Sequence, residues 1–195
     1  YAAIGYDHSV VNEITDEDLK LLENQLKNEK VVAIGEIGLD YYWIKDNKEK
    51  QKKLFIKELE LAEKYNLPVI IHSRDAVQDV YDILKTRNLR GSIHCYSGST
   101  EMAKEFIKIG FNIGIDGPIT FKNNKKQREM VKNIDINHIL VETDSPYLSP
   151  EPNRGKVNTS LNLVYILKQI ASELDMEYEE IKEITTNNAR NLFKI

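Results

Sequence analysis

The sequence predicts an α/β fold built on a parallel sheet, and three observations carry that prediction. Apolar runs alternate with amphipathic stretches along the whole chain. The runs are continuous in Val, Ile and Leu, the mark of strands buried on both faces. Four of them, VVAIGE, PVIIH, GSIH and HILVETD, end at Glu36, His72, His94 and Asp144, residue types that ligate metals or move protons. Such groups have no packing role at the carboxyl ends of parallel strands, and that edge is where α/β folds carry out chemistry.

The elements follow in order. Residues 2–5 read as a strand, and Thr15 with Asp18 gives a capping-box signal ahead of Leu19, Leu22 and Leu26 at helical spacing. After a strand at 31–34, Phe55, Leu59, Ala62 and Tyr65 share one helical face that Asn66 and Pro68 close. Residues 69–71 are strand-like, Ala76, Val80, Ile83 and Leu84 mark a helix, and 92–94 a further strand. Met102, Phe106 and Ile109 lie on one helical face with Gly110 as its stop, followed by a strand at 111–115 and a short helix near 125–133. The last strand is 139–141; a longer helix then carries Val164, Leu167, Ala171 and Leu174, and a final helical segment runs from about 179 to 193.

Alternating βα order implies a parallel sheet with helices outside it. Six strands in one domain spanning 1–195 are two short of a TIM (β/α)8 barrel, which takes about 250 residues. The shortfall equals two βα units at the start, where YAAIG opens on Tyr1 in the manner of a strand interior. The expected fold is therefore a TIM barrel without its first two βα units. A complete open doubly wound sheet is the alternative, but no Gly-x-Gly-x-x-Gly fingerprint or P-loop follows any run.

Composition narrows the function. The 195 residues are 41% hydrophobic and 30% charged, ordinary for a globular protein. A net charge of −4 offers no broad basic field for coating nucleic acid, although a metal site can bind phosphate locally. Cys95 is the only cysteine, which excludes an internal disulfide and fits a reducing compartment. No run is long enough for a membrane span, and no signal-peptide pattern opens the chain, so the expected location is the cytoplasm.

Two histidines and two carboxylates form a mixed N/O donor set that suits divalent ions without selecting one. Glu36, with two carboxylate oxygens, is the natural bridge between a pair of ions, and Asp144 is placed to ligate, orient a water and take its proton. Each residue taken alone has an ordinary reading: a hydrogen-bonded structural histidine, a loop carboxylate, an Asx turn before Ser145 and Pro146. Those readings would have to hold four times at equivalent strand ends. His138 reads as surface, His8 is left open, and Cys95 reads as a small buried side chain rather than a nucleophile.

At these positions the chain resembles the TatD family of metal-dependent deoxyribonucleases, within the amidohydrolase-like barrels. The matching stretches are GEIGLDYY (35–42), LPVIIHSRDA (67–76), HCYSGS (94–99), GIDGPITFKN (114–123), ETDSPYLSP (142–150) and RGKVN (154–158). The resemblance implies a TIM barrel, Glu36, His72, His94 and Asp144 as metal ligands, and hydrolysis of DNA, in some members RNA, at phosphodiester bonds. It also implies divalent Mg, Mn or Zn, two ions in the complete protein; the sequence itself points to no membrane and no obligate protein partner. Arg74 and Arg154 lie in matching motifs and are expected to contact substrate phosphate. Two departures stand out. The family's His-x-His pair on its first strand has no counterpart here, and its Gly-x-His-Pro appears as Gly5-Tyr6-Asp7-His8. Two other functions compete with the nuclease: a metal-dependent ester or amide hydrolase, such as one acting on an aminoacyl ester of tRNA, and a non-catalytic truncated barrel.

Overall fold

Each apolar run becomes a parallel strand in the computed structural model, which describes residues 1–43 and 46–195. The chain divides into two compact units, Tyr1–His94 with Leu192–Ile195, and Cys95–Asn191. The first holds β1 (Ala2–Ile4), α1 (Asp16–Gln25), β2 (Val31–Asp40), α2 (Lys48–Tyr65), β3 (Val69–Arg74), α3 (Val77–Leu84) and β4 (Gly91–Ile93). Its strands pair side by side in chain order, all parallel. The second unit holds α4 (Thr100–Lys108), β5 (Phe111–Ile115), α5 (Lys125–Asn133) and β6 (Ile139–Val141), then α6 (Leu163–Leu174) and α7 (Tyr178–Phe193). Here β5 and β6 pair in parallel.

Local chemistry explains the boundaries. Thr15 and Asp18 close a reciprocal capping box on α1. Asn66 ends α2 in the left-handed conformation at φ 51°, its N–H turned back to Ala62 and Glu63. In the first unit Ala33, Ile34, Ile37 and Leu39 of β2 are fully buried with Leu59 and Ala62 of α2 and Ile71 of β3. In the second, Phe106 of α4 packs edge-on to Phe111 of β5, with Ile113, Ile139 and Ile166 also buried. Among the described residues no helix is long and apolar enough to cross a membrane.

Two strands outrun their expected lengths: β3 continues past Ile71 to Arg74, and β2 is extended further. The run beginning at Val31 does not stop near Glu36 but continues to Asp40. Its register against β3 shifts between Ile34 and Ile37: Ile34 faces Val69 and Ile37 faces Ile71, so β2 carries one extra residue there. This is a bulge, a device that re-aims a side chain. Just past the bulge, Gly38 sits at φ 142°, where any Cβ would collide with the carbonyl oxygen of His72. His138, expected on the surface, is half-buried on the turn before β6.

The first unit also buries a carboxyl group. Glu58 of α2 is fully buried, accepts the Tyr6 N–H on Oε1 at 2.6 Å, and has no hydrogen-bond partner for Oε2 among the described residues. Burial pushes its pKa from 4.5 up to about 8. The folded chain therefore keeps a proton that the unfolded chain releases above pH 4.5, so stability falls as pH rises from about 4.5 to about 8. The slope approaches about 1.4 kcal/mol per pH unit within that window. Glu58→Gln removes the titration, and its melting temperature at pH 7.5 should exceed the parent's by about 5 °C or more. At pH 5 the two should differ little. Parallel melting curves across this range would show that Glu58 ionises freely in the fold.

Candidate metal centre

Asp40 is the most thoroughly fixed polar residue of the first unit. It ends β2 with 1% of its surface exposed. The Gln51 side chain from α2 satisfies its backbone on both sides, accepting the Asp40 N–H and donating to its carbonyl, each at 2.8 Å. Oδ1 accepts the Tyr42 and Trp43 N–H groups at 2.9 and 3.0 Å. That leaves Oδ2, which lies 3.0 Å from His72 Nε2 and 3.7 Å from His8 Nε2. Burial alone would raise the Asp40 pKa, but the Trp43 N–H, His72, the Tyr42 N–H and the nearby His8 outweigh it and hold the group below its ordinary value.

His72 sits inside β3, two residues short of the strand end. Its other nitrogen, Nδ1, meets Glu36 Oε1 at 2.8 Å, so one imidazole spans two carboxylates. A ring with an acceptor on each nitrogen donates from both. Burial pulls the His72 pKa down, yet Glu36 and Asp40 together raise it above the ordinary value. Glu36, re-aimed by the bulge in β2, brings its second oxygen to 3.8 Å from His94 Nε2. His94 directly follows β4, its N–H donating to the Ile71 carbonyl. His8 stands on a short turn capped by Asp7, which accepts the Ser9 N–H, and its ring stacks on His72 at 5.0 Å. The result is a line of alternating imidazole and carboxylate: His8, Asp40, His72, Glu36, His94.

Three of the sequence-expected ligands, Glu36, His72 and His94, thus lie together in the first unit. Asp144 belongs to the second unit, three residues past Val141 that ends β6, and holds φ at 53°, a left-handed conformation uncommon outside glycine. Arg74 closes β3 with its guanidinium 4.0 Å from the Tyr42 ring centre. Arg154, in the second unit, lies over Phe121 at 4.1 Å and 3.9 Å from Glu151. Cys95 is half-buried, its S–H donating to Asp116 Oδ2 at 2.8 Å and its N–H to Glu142.

Sequence reasoning passed over Asp40 and left His8 open. The donor atoms of His8, Asp40 and His72 all lie within 4.8 Å of one another. Two imidazoles and a buried carboxylate, held by backbone donors on its far oxygen, fit a divalent ion, and this pattern of outer support is typical of metal ligands. Asp40→Asn should therefore weaken Zn2+ or Mn2+ binding by about 10- to 100-fold in calorimetric titration. Unchanged affinity in a folded Asp40→Asn protein would remove Asp40 from the centre.

Comparison with known proteins finds metal-dependent hydrolases. A family model described as TatD related DNase matches residues 1–194. The chain is 47% identical over 198 residues to the uncharacterized metal-dependent hydrolase YabD of Bacillus subtilis, covering 100% of this chain and 78% of that one. It is 36% identical over 188 residues to the uncharacterized metal-dependent hydrolase YcfH of Escherichia coli, covering 95% and 71%. The crystal structure of YJJV, a TatD homolog from E. coli K12, matches at a TM-score of 0.93 with 32% identity, covering 100% of this chain and 77% of that one. The fold class is accordingly the parallel α/β architecture of the TatD-type TIM barrels. The chain belongs to the TatD-related family of metal-dependent hydrolases.

Proposed function

We propose that this hydrolase cleaves DNA phosphodiester bonds, with divalent metal held by Glu36, His72, His94 and Asp144. The observation that supports this reading most is the Glu36 carboxylate, whose two oxygens approach two imidazoles, His72 at 2.8 Å and His94 at 3.8 Å. The match to a family described by its DNase members favours DNA over other esters.

A bound divalent ion lowers the pKa of a water and withdraws charge from a phosphoryl oxygen. The chain's own groups supply the rest. Glu36 and Asp40 contribute negative charge that favours a cation, and His72 and His94 offer nitrogen donors. Asp40 holds His72 in orientation through Nε2, which leaves Nδ1 facing Glu36. Asp144, assigned by its ETDSP motif, orients the attacking water and accepts its proton. Arg74 and Arg154 hold phosphate oxygens. Arg74 makes no ion pair with the described residues, so its N–H donors are free for an anion. With a net charge of −4, substrate attraction is local to these groups and falls with salt.

The test is cleavage of a labelled DNA oligonucleotide with Mg2+, Mn2+ or Zn2+, with and without EDTA, beside an aminoacyl ester substrate. DNA should be cut, EDTA should abolish cutting, and Asp144→Asn should cost about 100-fold or more in kcat with an unchanged melting temperature. Ester hydrolysis with intact DNA would contradict the nuclease reading. Full activity of Asp144→Asn would remove Asp144 from proton transfer.

A further inference from the structure

The carboxylate that fixes His72 also fixes a pair of exposed aromatic rings. Trp43 is 68% exposed and Tyr42 48%, large π surfaces left in water directly after β2. They meet edge to face with centroids 4.9 Å apart at 86°. The Arg74 guanidinium lies 4.0 Å from the Tyr42 centroid and 5.3 Å from that of Trp43. Their backbone is not loose: both N–H groups are held by Asp40 Oδ1, and the Tyr41 N–H donates to the Arg74 carbonyl at 2.9 Å. Tyr41 is further pinned through its hydroxyl to Asp79 at 2.7 Å. Asp40 and Arg74 are register partners on β2 and β3, so rim and centre share one piece of sheet.

We propose that Trp43, Tyr42 and Arg74 form a nucleobase subsite, in which an unpaired base stacks on the Trp43 ring, braced edge-on by Tyr42, while Arg74 holds the adjoining phosphate. The proposal rests on the nuclease reading above and extends it to the recognition of the base. Three features select this ligand. A flat π face accepts any base without reading its edge. A guanidinium beside that face matches a phosphate by bidentate hydrogen bonds. The shared Asp40 carboxylate ties the platform to His72, so a base held there positions its own phosphodiester near the centre. A base still stacked in a duplex cannot offer its face, so the subsite takes frayed or single-stranded positions.

Trp43 is the chain's only tryptophan, which gives a readout independent of turnover. The experiment mixes the metal-loaded protein with a thymidine octamer, or with an octamer of abasic residues, and follows tryptophan emission by stopped flow. In parallel, kcat and KM are measured for Trp43→Ala, Trp43→Phe and Arg74→Ala on the thymidine octamer. The subsite requires emission to change with the thymidine octamer and not with the abasic one. It also requires Trp43→Ala to raise KM by roughly 5- to 100-fold with kcat within about twofold, and Trp43→Phe to recover most of the loss. Arg74→Ala should likewise raise KM for the thymidine octamer. DNA cleavage with silent emission and an unchanged KM in Trp43→Ala would overturn the subsite and leave the nuclease reading standing. Quenching by the base without any cleavage would support the subsite and overturn the nuclease reading. Neither quenching nor cleavage would overturn both. Because Trp43 is exposed, Trp43→Ala should melt with the parent, and any KM change then reports on binding.

Discussion

One half-buried imidazole held between two carboxylates organises the first unit. His72 has Glu36 on Nδ1 and Asp40 on Nε2. Withdrawing an imidazole and its acids from water is costly unless each is paired, and here the partners come from neighbouring strands. The cost explains the surroundings. Gln51 reaches from α2 to satisfy the Asp40 backbone, and the N–H groups of Tyr42 and Trp43 saturate its outer oxygen. The first turn after β2, the start of α2 and the end of β3 are thereby committed to the same few atoms. Function follows from that commitment: in a metal-dependent hydrolase, a cation placed among these acids relieves charge that the protein otherwise carries unaided.

The bulge in β2 is what makes the arrangement possible. In regular register, successive side chains of β2 would alternate strictly between faces. The extra residue between Ile34 and Ile37 breaks that alternation, and Glu36 falls within it. Gly38, at φ 142°, lets β2 resume pairing with β3 although a side chain there would strike the His72 carbonyl. A substitution at Gly38 would displace the backbone of the histidine itself, coupling strand geometry directly to the donor set.

Much of this was legible in the sequence, and the exceptions share a cause. The capping box at Thr15, the left-handed stop at Asn66 and the bounds of α5 and β6 follow from local chemistry, and local chemistry is what a single sequence displays. Glu36, His72 and His94 were recognisable because buried strands do not otherwise carry such groups. The length of β2 was not, since Gly35 and Gly38 are points of close approach to β3 that only the paired strands reveal. Asp40 was passed over because it lies beyond the run read as ending at Glu36; only the pairing of β2 with β3 brings it to His72. His8 lies far from both in sequence, and nothing local signals that its ring stacks on His72. The bond that is hydrolysed is one step further removed, because an activated water serves phosphate and acyl esters alike.

The central claim is that His72 and its flanking carboxylates are a cation site. Anomalous diffraction from crystals grown with Zn2+ or Mn2+ tests it most directly. The account predicts an ion about 2.0–2.2 Å from a His72 nitrogen and from an oxygen of Glu36 or Asp40, with the corresponding hydrogen bond replaced by coordination. An ion bound away from His72, with the imidazole still bridging Glu36 and Asp40, would contradict it.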